Sequence, residues 1–245
     1  MFGRRKLATL VAEFLGTGIL TTTILSVQHS GIGYPFFIAA AAGIAVALFS
    51  FAVGESSGGY FNPAITLGQW TAGKVATVSA ILYIAVELLG AWAAYYLYTY
   101  LVNNHLGKIG GHYTTRILVA EAVGTAIFGF IFAAAVYMKD ATRASRAAFI
   151  GIGLMIGSIA ASSGAIGLLN PAVALGARAW VWGTYVLGPI LGAVIGTQIY
   201  VLLFADSSDN FLSNLASSTA ARSTSSSKTT SKEKSSSKKS TAKRK

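Results

Sequence analysis

Two Asn-Pro-Ala triplets, Asn62-Pro63-Ala64 and Asn170-Pro171-Ala172, are the residues whose types and spacing suggest chemistry. Each closes a loop rich in Gly or Ser and heads a short apolar segment. Asn suits a helix N-cap, where its side-chain oxygen accepts from a free backbone N–H. Pro suits the next position, where its missing N–H is not needed. With the oxygen held by the cap, the amide NH₂ is left to donate outward. A single copy would be an ordinary turn dipeptide. Here a second pair recurs at the same offset as the triplets: Ala12-Glu13-Phe14-Leu15-Gly16-Thr17 returns as Ala120-Glu121-Ala122-Val123-Gly124-Thr125. Two coincidences at one spacing point to a duplicated unit whose length is that offset.

The elements that must hold these triplets follow from hydropathy. Of 245 residues, 53% are hydrophobic and 11% charged; soluble domains carry about 25% charged residues. Six apolar runs, at 7–27, 35–53, 76–101, 117–138, 147–161 and 184–205, approach or reach the length of a membrane span. Two shorter pieces, 63–72 and 171–180, follow the Asn residues. Ten residues rise about 15 Å, half a bilayer, so neither piece can cross. The expected fold is an all-α membrane protein with six transmembrane helices plus two re-entrant half-helices in an inverted repeat. Its divisions are a terminal segment 1–6, a first repeat 7–101, an outer loop 102–116, a second repeat 117–205 and a basic tail 206–245. The first run follows Arg4-Arg5-Lys6 like a signal peptide, but its length, Glu13 and the five later spans predict retention. With no cysteine, disulfides and thiolate metal sites are excluded.

Charge sets the orientation. The net charge is +11, and residues 210–245 hold nine Lys or Arg against Glu233 alone. Six spans put both ends on one side, together with Lys74, Lys139, Arg143 and Arg146. Sixteen of nineteen basic residues then share that face, leaving Lys108, Arg116 and Arg178 opposite. By the positive-inside rule both termini are cytoplasmic, and the plasma membrane is the expected location. The Ser/Thr/Lys-rich tail reads as disordered. Its partner is the anionic lipid surface or nothing at all, rather than nucleic acid.

Three spans per unit insert the second copy upside down, so the half-helices enter from opposite faces. Inverted repeats with broken helices meeting at the midplane form solute paths, and non-helical backbone is tolerated there only in protein or beside water. Two facing N-termini bring about half a positive charge each, which repels cations and hydronium. Asn62 and Asn170 would each donate to a passing oxygen and interrupt a proton wire. The pattern predicts a route for neutral, oxygen-bearing molecules.

Over about 7–205 the chain resembles the major intrinsic protein (aquaporin and glycerol facilitator) family. The resemblance rests on 12–17, Ser57-Gly58-Gly59-Tyr60-Phe61-Asn62-Pro63-Ala64-Ile65-Thr66-Leu67-Gly68, Leu88-Leu89-Gly90-Ala91, 120–125, 170–172 and Gly188-Pro189-Ile190-Leu191-Gly192-Ala193. It implies a right-handed bundle, one pore per protomer and a homotetramer. Family members usually carry Arg directly after the second triplet, at the outer constriction; here Val173 stands there. On a continued helix Arg178 would lie about 140° from Val173's face and could not replace it. The resemblance puts the remaining constriction positions at Ala42, Ser158 (or Gly157) and Gly167. This predicts a wider, less polar gate passing glycerol, urea or similar solutes as well as water, with proton exclusion resting on the dipoles.

Three carboxylates lie inside spans, where each is costly unless partnered. Glu13 and Glu121 are proton relays or acceptors for the backbone N–H groups of the re-entrant loops, and the resemblance favours the latter. Glu87 stands where relatives often have Gln, and is a further brace or a titratable sensor. Gly188, Gly192 and Gly196 fit close helix packing. Gly54-Glu55-Ser56-Ser57-Gly58 matches a hydrolase elbow, but no strand precedes it. His29, His105 and His112 make no metal-ligand spacing. No enzyme, cofactor or metal is expected. The leading function is a passive channel for water and small neutral solutes. The alternatives are an ion-coupled transporter, as buried carboxylates allow, and a non-conducting structural tetramer.

Overall fold

A computed structural model describes residues 3–206. The basic tail therefore lies outside the described residues, except for Asp206. The order is α1 (Arg4–Gln28), α2 (Pro35–Ser57), α3 (Pro63–Thr71), α4 (Thr77–Val102), α5 (Thr115–Tyr137), α6 (Arg143–Ala161) and α7 (Pro171–Gly176). A π-helical turn, Trp182–Val186, then leads into α8 (Leu187–Leu203). Six of these helices are long and apolar enough to span a membrane, the last counted from Trp182 to Leu203. Their starts follow local chemistry. Pro35 opens α2, while Thr114 and Thr142 accept from the backbone N–H groups of Ile117 and Ser145 to cap α5 and α6.

The half-helices are α3 and α7, and the structure moves three boundaries. The second half-helix ends at Gly176 rather than 180. Arg178 turns to φ 62°, the N–H of Ala179 returns to the Ala174 carbonyl, and the Arg178 carbonyl accepts from Ile109. A left-handed residue cannot continue a right-handed helix. At the other end of the chain, Arg4, Arg5 and Lys6 are not a separate segment but the first turn of α1. Helix α6 likewise begins at Arg143, ahead of the apolar run that starts at Ala147, because Thr142 caps it there.

The duplication is visible in the packing. Gly43 of α2 and Gly151 of α6 stand at the repeat offset and lie against each other's carbonyls; a methyl at position 43 would stand 2.6 Å from the Gly151 oxygen. The α1–α4 and α5–α8 seams are built alike, although their glycines do not stand at the repeat offset. Gly90 abuts the carbonyl of Phe14, and Gly192 abuts that of Ala122, the counterpart of Phe14. Small residues let backbones approach where lipid provides no hydrophobic drive for association. Thr17 and Thr125 return their hydroxyls to the carbonyls of Glu13 and Glu121 at 2.8 and 2.6 Å.

Candidate functional site

Each half-helix starts on its Asn. The Asn62 side-chain oxygen accepts from the Ala64 N–H at 2.9 Å, and that of Asn170 accepts from Ala172 and Val173 at 2.9 and 3.3 Å. With the oxygens used locally, the amide nitrogens point away. Asn62 Nδ2 donates to the Leu169 carbonyl at 2.9 Å, and Asn170 Nδ2 donates to the Phe61 carbonyl at 2.8 Å. The two loops thus clasp each other at the depth where both half-helices begin. Each amide spends one hydrogen on this clasp and keeps one, so half of the expected outward donors remain. Asn62 and Asn170 are 2% and 1% exposed.

The acceptors, Phe61 and Leu169, are not marked by composition or by side-chain chemistry. Both hold positive φ, 48° and 54°, an arrangement that costs of order 1–3 kcal/mol for such residues. In this conformation their carbonyls face the partner loop. A signal is nevertheless present in the sequence, since they too stand at the repeat offset. Room for their side chains comes from another repeat pair: a methyl on Gly16 would strike the Phe61 ring, and one on Gly124 would reach 2.8 Å from Leu169.

Buried carboxylates hold the loops. Glu13 accepts from the N–H groups of Tyr60 and Phe61 at 3.2 and 2.7 Å. Glu121 accepts from Gly167, Leu168 and Leu169 at 2.8, 3.2 and 2.8 Å. These N–H groups have no helical partner, and an unpaired buried donor is costly. Glu87, also fully buried, accepts from the Thr66 hydroxyl of α3 at 2.7 Å.

Of the four positions expected from the sequence to form a constriction, the structure joins two directly. Ser158 donates its hydroxyl to the Gly167 carbonyl at 2.7 Å, and Gly167 sits at φ 77° with its missing Cβ 2.6 Å from the Ser158 carbonyl. Only glycine fits there. Ala42 and Val173 belong to the apolar core, and Val173 has no exposed surface. Gly157, the alternative to Ser158, instead packs on the Gly124 carbonyl. Arg178 is beyond the end of α7, with its guanidinium over the Tyr95 ring at 5.5 Å. At the end of the bundle where α1 begins, a cavity of about 210 Å³ is lined by Ser50, Gly54, Glu55, Gly58, Arg143 and Arg146, among others. Arg143 pins this mouth by donating to the carbonyls of Phe51 and Ala52 and pairing with Glu55 at 3.7 Å.

The sequence pattern of the major intrinsic protein family matches residues 4–200, most of the chain. This protein belongs to the major intrinsic protein family. It is 32% identical over 232 residues to Aquaporin Z of Photorhabdus laumondii, spanning 82% of this chain and 98% of that protein. It is 31% identical to Aquaporin AqpM of Methanothermobacter thermautotrophicus over 72% of this chain and 80% of that one. In fold it is similar to the aquaglyceroporin of Plasmodium falciparum, with a TM-score of 0.64 at 18% identity over 86% of this chain and 98% of that one. As a family member with six apolar spans, it is an integral membrane protein and a passive channel for water and small solutes, not an enzyme.

Proposed function

We propose that the path runs past Asn62 and Asn170 and that its outer gate is the group Ala42, Ser158, Gly167 and Val173. The observation that carries this reading is the cross-bonded pair of capping amides. It aims two helix N-termini at one level, each with one N–H left for a permeating oxygen. The dipoles there disfavour cations. Glu13, Glu121 and Glu87 brace the re-entrant segments rather than relay protons.

The gate differs from an Arg-lined one in polarity. No cation or aromatic side chain occupies these four positions, and the Ser158 hydroxyl is committed to Gly167. Ala42 and Val173 are packed into the protein, at 2% and 0% exposure. A small-residue, weakly hydrogen-bonding gate discriminates little among water, glycerol and urea, because desolvation rather than a fixed donor set decides entry. Proteoliposomes shrunk with glycerol or urea test this: re-swelling on solute entry is expected, and lasting shrinkage with fast water loss refutes the gate.

The protomer assembles as a homotetramer, supported by the apolar outer faces of α1, α2 and α6, which carry Leu15, Ile44, Leu48 and Ile152 exposed. Those faces meet lipid or a second copy. Both termini are cytoplasmic in the plasma membrane, supported by Arg4, Arg5, Lys6, Lys74, Arg143 and Arg146 gathering at one end.

A further inference from the structure

We infer that Glu87 is a neutral carboxylic acid at rest, donating its proton to Glu13 and so positioning the first half-helix. The two halves of the molecule differ at this point. In the second half, Glu121 is satisfied by three backbone N–H groups. In the first half, Glu13 receives two backbone N–H groups, from Tyr60 and Phe61, and the Ser57 hydroxyl. A second carboxyl, Glu87, lies within hydrogen-bonding reach of Glu13. Aligning Leu88-Leu89-Gly90-Ala91 with Ile190-Leu191-Gly192-Ala193 places Pro189 opposite Glu87, so the second half has no matching acid.

Both carboxyls are fully buried, and neither makes an ion pair among the described residues. The titratable groups facing the pair are Tyr60 from the loop and Tyr83 from α4. The α3 face contributes Thr66, which is uncharged, and α7 holds no titratable residue. Two touching carboxylates without a cation, away from water, cannot both stay ionised. One proton between them removes the conflict. It belongs on Glu87, because Glu13 receives the N–H groups of Tyr60 and Phe61 and the Ser57 hydroxyl, whereas Glu87 receives only the Thr66 hydroxyl and the Asn62 N–H.

The hydrogen bonds agree with this assignment. Glu87 Oε1 accepts from Thr66, while Oε2 is a buried oxygen with no partner when only acceptors are counted. As an O–H, Oε2 becomes a donor, and Glu13 is the acceptor at hand. The chain α3 Thr66, Glu87, Glu13 and the N–H groups of Tyr60 and Phe61 then closes around the first loop. Glu87 is a positioning residue that acts through Thr66 and Glu13, whichever solutes pass.

Infrared spectroscopy of the full-length protein in liposomes tests the assignment, comparing wild type with Glu87→Gln. At neutral pH the difference spectrum is expected to lose a carboxylic-acid C=O band that shifts in heavy water. Loss of carboxylate bands alone overturns the proposal. Thermal unfolding supplies the second readout. The substituted glutamine offers an oxygen to Thr66 and an N–H to Glu13, so Glu87→Gln should hold the wild-type Tm while Glu87→Leu falls well below it. A Glu87→Gln protein as unstable as Glu87→Leu also overturns the proposal, because an ionised Glu87 could not be replaced by a donor.

Discussion

Asn62 and Asn170 each reach into the other's loop, donating to the carbonyls of Leu169 and Phe61 at 2.9 and 2.8 Å. These bonds tie the two halves of the duplicated chain where both half-helices start. Either Asn therefore performs two tasks, capping its own helix and fixing the opposite loop.

Asn170→Ala removes both. The cap on Ala172 and Val173 is lost, and the Phe61 carbonyl becomes a buried acceptor without its partner. A lost cap costs about 1 kcal/mol and an orphaned buried group about 1–3 kcal/mol. The expected destabilisation is roughly 2–4 kcal/mol, read by denaturant unfolding in detergent. Asn62→Ala should behave alike, and an unchanged midpoint in both would show the clasp to be incidental.

The pseudo-symmetric contact of Gly43 with Gly151 leaves no room for a side chain. Gly43→Val is expected to separate α2 from α6 and cost about 3 kcal/mol or more, by overpacking against backbone that cannot shift. Gly54→Ala is the control, since its added methyl meets only Ser50 at 3.8 Å. Yield of folded protein by size exclusion should fall for the first variant and hold for the second.

Glu121→Gln exchanges one acceptor oxygen for an NH₂ that faces backbone donors. Three N–H groups depend on this carboxylate. Stability should fall by about 1–3 kcal/mol, with faster hydrogen exchange at 167–169. A wild-type exchange rate there would show that the loop is held by other contacts.

Val173→Arg tests the gate. A guanidinium beside Asn170 restores a fixed donor set and fills space, so the ratio of water to glycerol flux should rise. A tenfold change corresponds to about 1.4 kcal/mol of added barrier. Val173 is fully buried, so the variant's folding must be checked by unfolding in parallel. An unchanged ratio in a folded variant would remove this position from the gate.

The spans, the half-helices and their inverted relation were legible because they rest on run length and a fixed repeat offset. Hydropathy could not fix the ends of the elements. Thr142 starts α6 before its apolar run, and Arg178 stops α7 early by adopting φ 62°, both through local hydrogen bonding that periodicity does not see. The donor residues of the site were readable as side-chain chemistry. The backbone acceptors at Phe61 and Leu169 were not, because their role comes from φ and the opposite loop rather than residue type. The tightness around Val173 depends equally on packing between distant segments.

Osmotic shrinkage of proteoliposomes, followed by stopped-flow light scattering without any ion gradient, bears most directly on the passage between the two half-helices. Wild-type vesicles should lose water much faster than protein-free vesicles, at a rate linear in the osmotic step. Shrinkage no faster than in protein-free vesicles, with the protein folded and inserted, would contradict the account.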